Sequence, residues 1–95
     1  LNLRLLAEQA REMQARLSRE LEELRVEGRA GGGAVVAMVS GKKRLIELRI
    51  DPKALESAGR ELLQDLIVVA VNEAGEKADA ELAARVGGAL PGLGL

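Results

Sequence analysis

The side chains able to do chemistry in this chain are almost all cations. Arg4, Arg11, Arg16 and Arg19 recur through the first nineteen residues, and Lys42, Lys43 and Arg44 form the densest basic cluster. Arginine and lysine held on one surface suit a polyanion, whose phosphates they neutralise with release of condensed counterions. Catalytic groups are scarce by comparison. The chain has no His and no Cys, so the usual neutral-pH general base, a thiolate nucleophile, a disulfide framework and a zinc-finger site are all missing. Ser18, Ser40 and Ser57 have no histidine to activate them. Ser40-Gly41-Lys42-Lys43 approaches a phosphate loop, but the glycine required five positions before Gly41 is Val36, and Lys43 stands where Ser or Thr is needed. Gly31–Gly33 do not fit a dinucleotide fingerprint, because a strand rather than a helix follows. The carboxylates are plentiful, with Arg or Lys at pairing distance along the helices. No enzyme, cofactor, metal or small-molecule substrate is expected.

Charge is unevenly placed around a net value of −1. Residues 1–19 and 41–53 are basic, whereas 20–40 and 54–95 are acidic. A polyanion would therefore meet local patches, since the global field does not attract it. With no Phe, Tyr or Trp, stacking on single-stranded bases is disfavoured. Contact with duplex backbone through Arg and Lys is the remaining nucleic-acid mode.

The elements that must carry these groups follow from hydrophobic spacing. Leu3, Leu6, Ala10, Met13, Leu17, Leu21 and Leu24 recur every three or four residues, the stripe of a long helix with a coiled-coil-like seam. At 100° per residue the four arginines fall on the opposite face, over an arc of about 140°. Arg4–Glu8, Glu12–Arg16 and Arg16–Glu20 are also spaced for i,i+4 pairing. Two readings stay open at this point: a solvated face laced with weak pairs, or a face that meets phosphates.

Val26 to Val36 is where the helical period gives way to a period of two. Gly31-Gly32-Gly33 suits a turn between strands that needs positive φ; a flexible linker is the alternative. The spacing predicts a first strand over Arg25–Ala30, with Val26, Gly28 and Ala30 on one face. A second, over Ala34–Ser40, is apolar on both faces and so expects cover on both, from its own helices or a second subunit. A third, over Leu45–Ile50, has Ile46, Leu48 and Ile50 inward and Leu45, Glu47 and Arg49 outward. Short connections make an antiparallel meander. Asp51 is placed as N-cap with Pro52 at the first position of a short helix, which Gly59 breaks from a long one over about Arg60–Val86. Gly87-Gly88 is expected to end it, leaving one domain over 1–88 and a mobile tail over 89–95. No apolar run reaches membrane-spanning length and no signal-peptide pattern opens the chain, so a cytoplasmic protein without a membrane partner is expected. An all-aliphatic core of this size also favours burial against a second copy.

Residues in order along the chain resemble the YbaB/EbfC family. They are Asn2-Leu3-Arg4, Gln9-Ala10, Met13-Gln14, Leu21-Glu22-Glu23-Leu24, Val26-Glu27-Gly28, Ala30–Val35, Gly41, Ile50-Asp51-Pro52, Leu63, Asp65-Leu66-Ile67, Ala70-Val71-Asn72 and the Gly/Leu/Pro tail. The resemblance implies an α+β fold of order α-β-β-β-α-α in an intertwined or tightly packed homodimer. It implies a bacterial nucleoid-associated protein that binds double-stranded DNA between projecting first and last helices, through phosphates and shape with modest sequence preference. Arg4, Arg11, Arg16 and Arg19 become candidate DNA contacts, with Lys77 and Arg85 on the last helix. Lys42, Lys43 and Arg44 are added as a basic cluster, although the family pattern does not single out that turn. The last helix departs from this expectation, because Glu73, Glu76, Asp79 and Glu81 outnumber Lys77 and Arg85. A dimeric protein–protein adaptor with incidental DNA affinity is the competing reading.

Overall fold

The computed structural model describes residues 1–89, with side chains to residue 86. The order is α1 (Leu3–Glu23), β1 (Arg25–Ala30), β2 (Val35–Ser40), β3 (Leu45–Ile50), α2 (Pro52–Ser57) and α3 (Arg60–Ala89). The three strands form one antiparallel sheet in the order β1-β2-β3. This is the predicted α-β-β-β-α-α arrangement.

Local chemistry accounts for the boundaries. Asn2 caps α1, its side-chain oxygen accepting from the Leu5 N–H at 3.1 Å, which satisfies one of the helix's free donors. Asp51 caps α2 through the Lys53 N–H at 3.0 Å, with Pro52 next to it. Gly31, Gly32 and Gly33 all have positive φ, so the β1–β2 connection is an ordered turn that side chains would strain. Ala34 belongs to this turn rather than to β2, its N–H donating to the Gly31 carbonyl at 3.3 Å. Strand β2 thus starts one residue later than its apolar run suggests.

Helix α3 lies across β1 and β2. The contact is close because both sides are small: Ala70, Ala74 and Ala78 are fully buried, and the first two face Gly28. A Cβ on Gly28 would stand 2.1 Å from the Ala70 carbonyl oxygen and 2.4 Å from the Ala74 nitrogen. Val35, Ala37 and Val39 fill the same interface, with Ile50, Leu63 and Ile67 packed around them. Removing this apolar surface from water is the main drive of the fold.

Four points qualify the expectations. Within the chain, the other face of β2 is flanked by side chains of the neighbouring strands rather than by a helix. Val36, opposite Arg29 and Arg49 in the register, is only 8% exposed beneath those two long side chains. Glu27 holds both, at 3.1 Å to Arg29 and 2.8 Å to Arg49, so charged stems shield the valine while their ends stay wet. On β3, a register shift opposite Met38 and Val39 pairs Leu45 with Val39 and leaves Ile46 without a partner. A bulge of this kind changes the alternation of side chains. Ile46 accordingly sits beside Glu22, Arg25 and Ser40 on the α1 side, and Leu45 takes the place opposite the core residue Val39. Thirdly, α3 continues through Gly87-Gly88 to Ala89. Glycine weakens a helix by about 1 kcal/mol without forbidding it, and no proline occurs between Arg60 and Pro91. Beyond Ala89 the expected tail lies outside the described residues. Finally, among the described residues Arg4–Glu8, Glu12–Arg16 and Arg16–Glu20 form no ion pair; the salt bridges lie elsewhere.

Candidate nucleic-acid interface

Helix α1 is a projecting rod. Its 21 residues span about 31 Å at 1.5 Å per residue, within a molecule measuring 66 × 25 × 15 Å. Every residue from Leu1 to Arg16 is exposed, and only Leu21 on this helix is buried. The apolar stripe therefore meets the body only at its C-terminal end, through Leu17 and Leu21. Its outer part is bare, Leu3 being 71% and Met13 61% exposed. Arg4, Arg11, Arg16 and Arg19 lie on the opposite face. All four are exposed, and among the described residues none makes an ion pair or a side-chain hydrogen bond. Cations with no internal anion can neutralise the phosphates of a polyanion without first giving up a protein partner, releasing that polyanion's condensed counterions.

The second basic cluster is organised differently. Ser40, buried at the end of β2, accepts from the main-chain N–H of Lys42 and of Arg44 at 3.2 Å each. The turn is thereby wound around a hydroxyl, with Lys43 in the left-handed region at φ 66°. Lys42 Nζ donates to Ser18 Oγ at 2.6 Å and to Glu22 Oε1 at 3.0 Å, both on α1. Lys43 Nζ reaches Asp79 on α3 at 3.2 Å. Arg44 alone of the three is exposed and without an ion-pair partner among the described residues.

On α3 both predicted candidates are engaged. Lys77 pairs with Glu73 one turn back at 2.8 Å. That hydrogen bond holds the Glu73 carboxyl below its ordinary range, against partial desolvation and with smaller help from Arg29. Arg85 reaches Glu20 on α1 at 3.3 Å. The two cations thus serve different partners and share no free face.

Of nine candidate contacts, the structure leaves the four α1 arginines and Arg44 open and engages Lys42, Lys43, Lys77 and Arg85. Sequence reasoning also passed over several cations. Arg25 donates to the Glu22 and Leu24 carbonyls at 2.8 and 3.1 Å, finishing the end of α1, and Arg29 and Arg49 belong to the Glu27 ladder. Lys53 and Arg60 are exposed and unpaired among the described residues. Only Lys77, with Glu73 four residues earlier, carried a local signal of its partner.

Known proteins place this architecture. The family model described as the YbaB/EbfC DNA-binding family matches residues 2–93. A nucleoid-associated protein of Acetivibrio thermocellus is 43% identical over 96 residues, covering 98% of this chain and 85% of its own length. One from Xylella fastidiosa is 42% identical over 97 residues, covering 99% and 89%. Among solved structures, the uncharacterized protein HP0035 from Helicobacter pylori superposes with a TM-score of 0.78 at 21% identity, covering 92% of this chain and 91% of its own. The family model's match across nearly the whole length, with relatives at 42–43% identity, leads to one assignment: the chain belongs to the YbaB/EbfC DNA-binding family.

Proposed function

We propose that this chain works in the nucleoid as a homodimer that binds double-stranded DNA through the phosphates, reading duplex shape with modest sequence preference. The observation that carries this reading is the row of unpaired arginines on a projecting helix. Arg4 and Arg19 are separated by about 22 Å along the axis, roughly two-thirds of a duplex turn of about 34 Å. One helix can therefore follow a backbone over several phosphates, with Arg44 adding a contact near its base.

The dimer is proposed at the open side of the sheet. Helix α3 covers β1 and β2 but not β3, which is one of the sheet's two edge strands. Leu45 and Leu48 on β3, Leu55 on α2, and Leu62, Val68 and Val69 on α3 are exposed. An uncovered apolar edge strand is a template for pairing with another chain.

Titration of duplex binding against salt tests the proposal. Phosphate-borne binding falls with a log–log slope of about −0.9 per phosphate neutralised. Arg11→Ala with Arg16→Ala should make that slope shallower by about 1.8 per protomer, with the melting temperature and dimer unchanged. A flat salt response, or no duplex retardation at low salt from an intact dimer, refutes it. The bare stripe of Leu3, Leu6 and Met13 favours one other reading, an adaptor whose helix meets a protein partner. That reading expects binding to survive the arginine changes and to fail when Met13 becomes charged.

A further inference from the structure

The β2–β3 turn touches both long helices at once. Towards α1, the Gly41 N–H donates to the Leu21 carbonyl at 2.7 Å, so close that a Cβ on Gly41 would meet that oxygen at 2.8 Å. Beside this contact Lys42 holds Ser18 and Glu22. Towards α3, the stem of Lys43 passes over Gly75, its Cδ lying 3.8 Å from where a Cβ would stand, and its ammonium reaches Asp79. A third link joins the helices directly, from Arg85 to Glu20. The Arg85 Nε is enclosed without an acceptor, so this guanidinium binds Glu20 through its terminal nitrogen alone.

We infer that Lys42, Lys43 and Arg85 are positioning residues: with Glu22, Asp79 and Glu20 they brace α1 against α3 and set the direction in which the α1 arginines point. The inference rests on the DNA-binding reading above. It divides the basic residues by role. Arg4, Arg11, Arg16, Arg19 and Arg44 face solvent without anionic partners, whereas each bracing cation already has one, so its use on a phosphate would replace a protein anion and release less counterion. The left-handed backbone at Lys43 serves the same end, because it turns that side chain away from Lys42 so that adjacent residues reach opposite helices. Little else holds α1 in place: N-terminal to Leu17 its apolar stripe is exposed throughout. A rod attached by one turn of packing keeps its direction only if polar ties fix the angle.

Neutralising the anions of the brace separates this role from phosphate contact by the sign of the effect. Glu20→Gln, Glu22→Gln and Asp79→Asn together raise the formal net charge from −1 to +2 and release three cations. Simple attraction then predicts tighter DNA binding. The brace predicts weaker binding, by roughly three- to tenfold, if the competent direction falls to between a third and a tenth of the population. The chain is free of cysteine, so spin labels at Ala7→Cys and Ala83→Cys, diluted with excess unlabelled protein, report the intrachain distance between the helices. The expected result is a single narrow distribution that broadens in the triple variant. A chain that instead carries the exchanges Lys43→Asp with Asp79→Lys and Glu20→Arg with Arg85→Glu should keep the narrow distribution, since each rebuilds its pair with reversed charge. Unchanged or tighter DNA binding by the triple variant overturns the assignment, as does an unchanged distance distribution. Failure of the wild-type chain to bind duplex would instead refute the DNA reading, and the distances would then decide the brace by themselves.

Discussion

Substitution of Gly28 by alanine tests the packing that places α3 on the sheet. The added methyl would sit 2.1 Å from the Ala70 oxygen, 2.4 Å from the Ala74 nitrogen and 2.9 Å from the Ala74 Cα. All three are backbone atoms of a helix, so no side chain can rotate away. Restoring ordinary contact requires α3 to retreat by about 1 Å, which loosens Ala70, Ala74 and Ala78 together. Overpacking in a well-filled core costs about 1–3 kcal/mol, and a clash against backbone on two helical turns belongs at the upper end. At roughly 4–8 °C per kcal/mol for a domain of this size, Gly28→Ala should lower the melting temperature by about 12–24 °C, with a matching loss in urea unfolding. Gly59→Ala is the control: nothing lies within 4 Å of its Cβ and its φ is not positive, so it should change stability by no more than about 1 kcal/mol, the entropy gain being offset by the poorer N-cap of α3. A Gly28→Ala protein that melts within about 2 °C of wild type would show that the close approach of α3 to β1 does not carry the fold.

Asp51→Ala removes the cap of α2 and should lower stability by about 1 kcal/mol, read by denaturant midpoint with an unchanged slope. Leu48→Glu charges the uncovered side of β3 and should convert a dimer into monomers in light scattering while leaving the circular dichroism of the chain intact. Glu73→Gln addresses pH. The Lys77 hydrogen bond lowers the Glu73 pKa in the folded chain, so the unfolded chain takes up that proton first as acid is added. The resulting stability is present at neutral pH and is lost as pH falls from the ordinary carboxylate range through the lowered value. Unfolding curves of the Gln variant should accordingly show a shallower decline over that acid window, and an identical decline would mean that the pair contributes nothing.

Local patterns made most of the backbone legible. The stripe from Leu3 to Leu24, the triple glycine, Asp51-Pro52 and Gly59 each act through residues a few positions apart, and the element order follows from them. Reading failed where a neighbour in space intervened. The alternation Leu45 to Ile50 could not reveal the bulge, because the extra residue is defined by what β2 offers across the ladder. The two-faced β2 asked for cover from helices or a second subunit, and its spacing gave no sign that within the chain Arg29 and Arg49, seven and thirteen residues away, flank Val36 across the sheet. The end of α3 was placed at Gly87-Gly88 because glycine marks helix ends statistically; energetically it only weakens them.

The candidate interface divides in the same way. Composition and spacing alone establish that this chain carries cations without His or Cys chemistry, and that four arginines share one face of a helix opposite an apolar stripe. Helical geometry suffices for that, since it depends only on spacing. Which cations remain free was decided by tertiary structure. Lys42 finds Ser18 and Glu22 at separations of 24 and 20 residues, and Arg85 finds Glu20 at 65. Charge is a property of a residue, but its availability depends on the anions that folding brings beside it, and no spacing rule reaches that far along the chain.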